Sequence, residues 1–132
     1  MHRHPISEWS AGEHSCQLAI IGREADLVIA VTAAGPAGAG TIQFAWDESG
    51  LVIKGITETL ITKHGQLEVE MVVGIAVLKD ESMVFGWSPY SEAECALTLS
   101  QGEETILIPE GYAVDFFRWL RRSIQLIGRI VS

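Results

Sequence analysis

Histidine and cysteine are the residue types best able to bind a metal or attack a substrate, but their spacing in this chain suits neither role. His14 and Cys16 would lie on the same side of a strand and could share a metal ion. The other ligands would have to come from the end of the chain that carries His2 and His4. Zinc sites normally have closer paired spacings than these. We therefore predict no metal site, and we expect His64 to be a solvated turn residue.

Two carboxylates, Glu68 and Glu70, are two residues apart and would face one side of a strand. They could act as an acid–base pair, but a solvated strand face is the more common cause of this spacing. The nucleophile motif G-x-S-x-G is absent from the sequence. The glycine-rich residues 35–40 contain no lysine and match neither G-x-x-x-x-G-K-[ST] nor G-x-G-x-x-G. We predict a mobile loop there, no catalytic residue, no cofactor, and a protein that is not an enzyme.

The segment Trp87-Ser88-Pro89-Tyr90 is the short stretch most typical of a binding surface. Aromatic residues beside proline often anchor protein interfaces. Trp87 could equally end a strand in the core, with Tyr90 covering it. Both interpretations stay open at this point.

Charge favours a basic partner over a nucleic acid. The chain has 132 residues and a net charge of −8. Residues 1–108 carry five basic and fifteen acidic side chains, whereas residues 109–132 carry four arginines and two acids. Phosphate backbones need clustered Lys and Arg, which argues against DNA or RNA as a ligand. The candidate partner-binding residues are Trp87, Pro89, Tyr90, Asp47, Glu48, Glu68 and Glu70.

The chain is rich in short apolar runs separated by polar or glycine-containing turns, a pattern typical of antiparallel hairpins. No sequence repeat is evident. One four-residue turn is expected at residues 47–50 and a strand break at residues 88–91. The predicted strands span residues 16–21, 26–32, 41–46, 51–61, 67–78, 83–87, 92–100 and 104–108.

Residues 67–78 show the clearest strand pattern. Their first half alternates apolar and acidic side chains, and their second half is apolar on both sides. Gly74 inside this run predicts a bulge or sharp bend. The change in pattern is typical of a strongly curved sheet or a barrel.

From Pro109 the apolar residues recur with helical period. The face predicted to be buried comprises Phe116, Phe117, Leu120, Ile124, Ile127 and Val131, with Trp119 and Ile130 at its edge. The arginines fall on the opposite face. They could meet a membrane surface or a partner, but we expect the apolar face to pack on the protein's own sheet.

These observations predict an α+β fold that is mainly antiparallel β. Seven or eight strands would form a curved sheet or open barrel covered by one C-terminal helix. We expect a single domain with an N-terminal extension (1–15), a β-hairpin body (16–108) and the helix (109–131). No apolar run has the length of a membrane span. Cys16 and Cys95 are expected to be buried free thiols in a cytoplasmic protein.

The function predicted from these features is a non-enzymatic protein-interaction module. A small acidic inhibitor, or an immunity-type protein that neutralises a basic partner, is an example of this class. Two alternatives stay open. One is a barrel-like domain that binds a ligand or lipid, and the other is a homo-oligomeric structural or assembly subunit.

Overall fold

Two antiparallel four-stranded sheets, each followed by a helix, make up the computed structural model, which describes residues 3–22 and 27–131. The first half comprises β1 (Arg3–Ala11), β2 (His14–Gly22), β3 (Leu27–Gly35), β4 (Gly38–Ala45), a 3-10 turn (Trp46–Glu48) and α1 (Ser49–Ile61). The second half comprises β5 (Met71–Ala76), β6 (Met83–Ser91), β7 (Glu94–Gln101), β8 (Glu104–Pro109) and α2 (Glu110–Val131). The order of elements therefore repeats, although the sequence does not.

The predicted class is confirmed: the fold is α+β, with eight antiparallel strands and a C-terminal helix. The strands divide into two sheets in the orders β1-β2-β3-β4 and β5-β6-β7-β8, and they do not form a closed barrel. His2, one of the candidate metal ligands, and Asp26, the first residue of one predicted strand, lie outside the described residues.

The strand predicted over residues 51–61 is wrong, because this segment lies within α1. Its Val, Ile and Thr content favours a strand by propensity. However, Val52, Ile56 and Thr59 recur at helical spacing and are fully buried. The hydroxyl of Thr59 donates to the carbonyl of Gly55, four residues earlier, so it is satisfied inside the helix. Burial in the tertiary structure therefore outweighs strand propensity in this segment. In the part of the chain that the structure describes, two helices rather than the predicted one cover the sheets.

Three boundary predictions are also wrong. The described part of the predicted extension, residues 3–15, is not separate from the sheet, because β1 pairs along its length with β2. The glycine-rich segment is not a long loop, since β3 reaches Gly35 and β4 begins at Gly38. Residues 88–91 do not break β6, which accommodates Pro89 at a register shift before Ser91.

The strand predicted over residues 67–78 is shorter in the structure, because β5 spans only Met71–Ala76. The predicted bulge is confirmed, as the register with β6 shifts between Val72 and Gly74. The backbone of Met71 lies directly over Gly86 of β6, where a side chain would clash with it. Gly86 therefore permits the path that β5 takes at this end of the sheet.

The main core fills the space between the two sheets and the two helices, and a small second cluster comprises Ile21, Val28 and Ala30. The largest fully buried side chains of the main core include Phe85, Phe116, Leu18, Ile29, Ile42 and Met83. The predicted docking of α2 is confirmed, since Phe116, Trp119, Leu120, Ile124 and Ile127 are all buried. Phe117 is only half-buried and Val131 is exposed, which differs from the predicted face.

The two sheets meet along β4 and β8, where Gly40 lies against the backbone of Thr105. Gln101 joins them by a pair of hydrogen bonds. Its side-chain oxygen accepts from the backbone N–H of Gln43, and its amide nitrogen donates to the carbonyl of Gln43, both at 2.7 Å. The buried side chain of Gln101 thus bonds to both backbone groups of Gln43, as the backbone of a neighbouring strand would.

Candidate functional site

The outer edge of β5 is an unpaired strand edge. In the part of the chain that the structure describes, β5 pairs only with β6 and forms one end of its sheet. The backbone N–H and C=O groups on its other side therefore have no strand partner. Such edges are templates on which a second chain can add a strand.

The outer face of β5 and the segments on either side of it carry exposed apolar side chains. Val69, Val72, Ile75 and Val77 are 74%, 60%, 63% and 79% exposed, respectively, and we call them the β5 strip. Between them, Met71, Val73 and Ala76 pack towards the core. Single exposed apolar residues are ordinary on protein surfaces, but four within nine residues of the chain make this a candidate interaction surface.

Acidic side chains flank the β5 strip. Residues 66–82 hold four carboxylates, Glu68, Glu70, Asp80 and Glu81, and one lysine, Lys79. Glu68 and Glu70 are exposed, but they lie in the irregular segment that leads into β5 rather than on a strand. Their predicted place on a strand face is therefore wrong. Both are exposed, and their contact with a partner stays a prediction.

Lys79 does little to offset these charges, because its ammonium forms a 2.7 Å ion pair with the Asp47 carboxylate. Asp47 is exposed, as a partner-binding residue must be. Glu48 differs from it, because it is buried. Its carboxylate accepts hydrogen bonds from the backbone N–H groups of Ala45 at 3.0 Å and Lys79 at 2.7 Å. Burial and these bonds argue against the partner contact predicted for Glu48.

Trp87 is a core residue, which decides between the two interpretations of its segment. It is buried, and its indole N–H donates to the carbonyl of Thr59 in α1 at 2.9 Å. It therefore has no face free for a partner. Pro89 is exposed and Tyr90 is half-buried, so these two residues remain accessible.

His64 is the titratable residue that sequence reasoning placed least well. Its ring packs on Trp87 with centroids 4.5 Å apart, and it is largely buried rather than solvated. Nδ1 donates to the carbonyl of Gly65 at 2.8 Å and Nε2 donates to the Glu110 carboxylate at 2.6 Å. The backbone hydrogen bond and the Glu110 carboxylate raise the pKa of His64 above its usual value.

A surface cavity of about 470 Å³ brings His64 and Cys95 together, which suggests a thiol–imidazole pair. The geometry argues against that chemistry. Both ring nitrogens of His64 face acceptors, which favours the protonated ring, and a protonated ring cannot take a proton from a thiol. The Cys95 sulfur lies 3.9 Å from the carbonyl of Gly65. This arrangement supports the local fold rather than nucleophilic catalysis.

Cys16 and His14 both lie on the core side of β2. The thiol of Cys16 is buried, and desolvation raises its pKa to about 12. The Nε2 atom of His14 lies 3.3 Å from the hydroxyl of Tyr90. Within residues 3–22 and 27–131, no group of three His, Cys, Asp or Glu side chains could hold a metal ion. Both cysteines are free.

An aromatic cleft lies where the ends of several elements meet. Its walls include His14, Tyr90 and Tyr112, with ring centroids of the histidine 6.0 Å from each tyrosine. Its volume is about 440 Å³. Sequence reasoning named Tyr90 but missed Tyr112, because nothing in the local sequence shows that α2 begins beside the β1–β2 turn.

The arginines of α2 lie on its exposed side, as the helical period predicts. Arg118, Arg121, Arg122 and Arg129 are all exposed. The guanidinium of Arg121 lies 5.7 Å from the ring centroid of Phe117. Neither described helix is long and apolar enough to cross a membrane.

Comparison with known proteins shows no family for this chain. No protein-family model matches it, and no curated protein does. One similar solved structure is that of the plant transcriptional regulator PBF-2, with a TM-score of 0.34 and 12% sequence identity. The match covers 99% of this chain and 87% of that chain. A similarity of this degree carries no argument about function.

Proposed function

We propose that this protein is a non-enzymatic interaction module that binds a basic protein partner at the edge of β5. The observation that carries the proposal is the β5 strip on an unpaired strand edge, with carboxylates on both sides of it along the chain. An extended segment of the partner adds to the sheet beside β5. An acidic inhibitor or immunity-type protein that neutralises a basic partner is one example of this class.

Addition of a partner strand would pair the free backbone groups of β5 and would also cover its exposed apolar side chains. The unpaired N–H and C=O groups of β5 supply affinity through main-chain hydrogen bonds. Side chains of the added strand that project outward would cover Val72 and Ile75. Burying each of these is worth about 1–2 kcal/mol, because each is already partly shielded. The partner segment should therefore carry apolar residues at alternate positions.

Charge selects the partner. Glu68, Glu70 and Glu81 are exposed near the ends of β5, and the whole chain carries a net charge of −8. Complementary charge raises the rate of association and rejects acidic competitors. The partner segment should therefore place Lys or Arg around its apolar residues. The same carboxylates would repel a phosphate backbone at this edge.

Selection of peptides from a random display library tests this proposal without a known partner. We expect the selected sequences to alternate apolar and basic residues, to bind less tightly as salt rises, and to slow amide exchange in β5. Ile75→Lys should abolish binding, because it adds a cation in the β5 strip. Val114→Lys is the matched control, since Val114 is a half-exposed valine on α2.

Two results would refute the proposal. One is the selection of peptides without basic residues. The other is equal binding to both lysine variants, provided that their thermal unfolding curves match that of the parent protein.

A homo-oligomer joined through β5 is the second candidate, because the same unpaired edge favours it. Two copies paired there would bring both sets of carboxylates to one interface, so we rank it lower. Light scattering at high concentration separates the two candidates. A dimer that Ile75→Lys dissociates would support the oligomer, and a monomer would remove it.

The ligand-binding barrel has no observation in its favour, since large side chains such as Phe85 and Phe116 fill the space between the sheets. A cytoplasmic location stays a prediction. It fits the free, buried state of Cys16 and Cys95.

A further inference from the structure

The aromatic cleft is assembled where several elements of the fold begin or end. Glu13 lies in the β1–β2 turn, and His14 begins β2. Tyr90 lies near the end of β6, Glu94 begins β7, and Tyr112 lies in the first turn of α2. All five side chains line the same cavity of about 440 Å³. Its volume lies within the range of small-ligand sites, about 300–1,000 Å³.

The three rings form inclined walls rather than a stack. The His14 ring makes interplanar angles of 51° with Tyr90 and 59° with Tyr112. Trp9 supports the Tyr112 ring from the side in an edge-to-face contact at 6.5 Å. The indole N–H of Trp9 is in turn fixed by the Asp115 carboxylate at 2.9 Å. These contacts position the walls before any ligand arrives.

The electrostatics of the cleft favour a positive guest. Its lining includes the carboxylates of Glu13 and Glu94, and no Lys or Arg is among the described residues that line it. Glu94 also accepts a hydrogen bond from the backbone N–H of Gly111, which offsets the positive end of α2. Aromatic faces attract cations through their quadrupoles, so the rings and the carboxylates both favour binding of a cation.

We propose that this cleft is a binding site for a poorly hydrated organic cation, for which a quaternary ammonium is the best match. A metal ion is a poor alternative, because aromatic walls supply few ligand atoms to a hard cation. A primary ammonium is strongly hydrated and would lose more on entering an aromatic site. None of the cleft residues belongs to the β5 strip, so this proposal does not depend on the proposed partner.

Paired titrations followed by NMR test the role of charge directly. Choline and 3,3-dimethylbutan-1-ol have nearly the same shape, but only choline is charged. We expect choline to shift the amide resonances of residues 12–14 and 111–112 saturably, with a Kd at or below the millimolar range, and the neutral alcohol to bind at least about tenfold more weakly. Equal binding of the two probes would overturn the proposal. So would the absence of saturation up to about 50 mM choline.

Substitutions at Tyr112 test the role of the aromatic face. Tyr112→Leu should weaken choline binding about tenfold, whereas Tyr112→Phe keeps the face and should stay within about threefold of the parent. Glu13→Gln should weaken choline binding and reduce its dependence on salt. If Tyr112→Leu fails to fold, the Glu13 and Tyr112→Phe variants still decide the question. Unchanged binding in Glu13→Gln together with lost binding in Tyr112→Phe would overturn the proposal.

Discussion

Replacing Glu48 with glutamine should separate its structural role from the binding role that its sequence position suggested. The two carboxylate oxygens of Glu48 accept from the N–H groups of Ala45 and Lys79. They thereby tie the start of α1 to the segment that follows β5. Glutamine has one acceptor oxygen, so its NH₂ group would face the second N–H donor. One charge-assisted hydrogen bond is lost, and a backbone donor is left unpaired.

The expected cost is about 2–4 kcal/mol, since a hydrogen bond to a charged group is worth about 1.5–3 kcal/mol and a buried unpaired group adds to this. For a chain of this length it corresponds to a decrease in Tm of about 7–14 °C. Chemical denaturation and calorimetry measure both quantities. Amide exchange should also accelerate in β5, because its link to α1 is weakened.

Asp47→Asn is the matched control, because Asp47 neighbours Glu48 and also contacts Lys79. Its ion pair is exposed, so its loss should cost less than about 1 kcal/mol. Equal losses of stability in the two variants would contradict the structural role of Glu48. So would a Glu48→Gln variant that keeps its stability and instead abolishes peptide binding at β5.

Three further predictions follow from individual contacts. Gln101→Ala should lower the free energy of unfolding by about 2–4 kcal/mol, because two backbone groups of Gln43 lose their partner; a loss below about 1 kcal/mol in urea denaturation would contradict this. The raised pKa of His64 predicts a contribution to stability that is complete below its unfolded pKa, about 6.5, and is lost as pH rises through the higher folded value. His64→Gln should remove this contribution from the pH dependence of the free energy of unfolding. An unchanged pH dependence would count against the Glu110 interaction. Because burial raises the pKa of Cys16 to about 12, its thiol should resist alkylation at pH 8 in the folded protein and react once urea unfolds the chain. Mass spectrometry of the peptide that contains Cys16 would detect any labelling before unfolding.

The candidate sites were only partly accessible to sequence reasoning. Glu68 and Glu70 drew attention through spacing and charge, and both lie beside the β5 strip. Tyr90 drew attention through its neighbour Pro89, and it lines the aromatic cleft. Tyr112 had no local signal, because its role depends on where α2 begins relative to a turn about 100 residues earlier in the chain.

Local patterning was enough to predict several of the antiparallel hairpins, the bulge at Gly74 and the helix α2. In each of these, the period of apolar residues and the turn chemistry act between near neighbours and agree with the final burial. Long-range packing, by contrast, sets the helix at residues 51–61, the pairing of β1 with β2, and the division of the strands into two sheets. The β-branched residues of α1 favour a strand locally, but packing against Phe85 and its neighbours stabilises the helix more than propensity opposes it. The unpaired edge of β5 and the aromatic cleft likewise exist only after distant segments pack together, so no window of sequence could contain them.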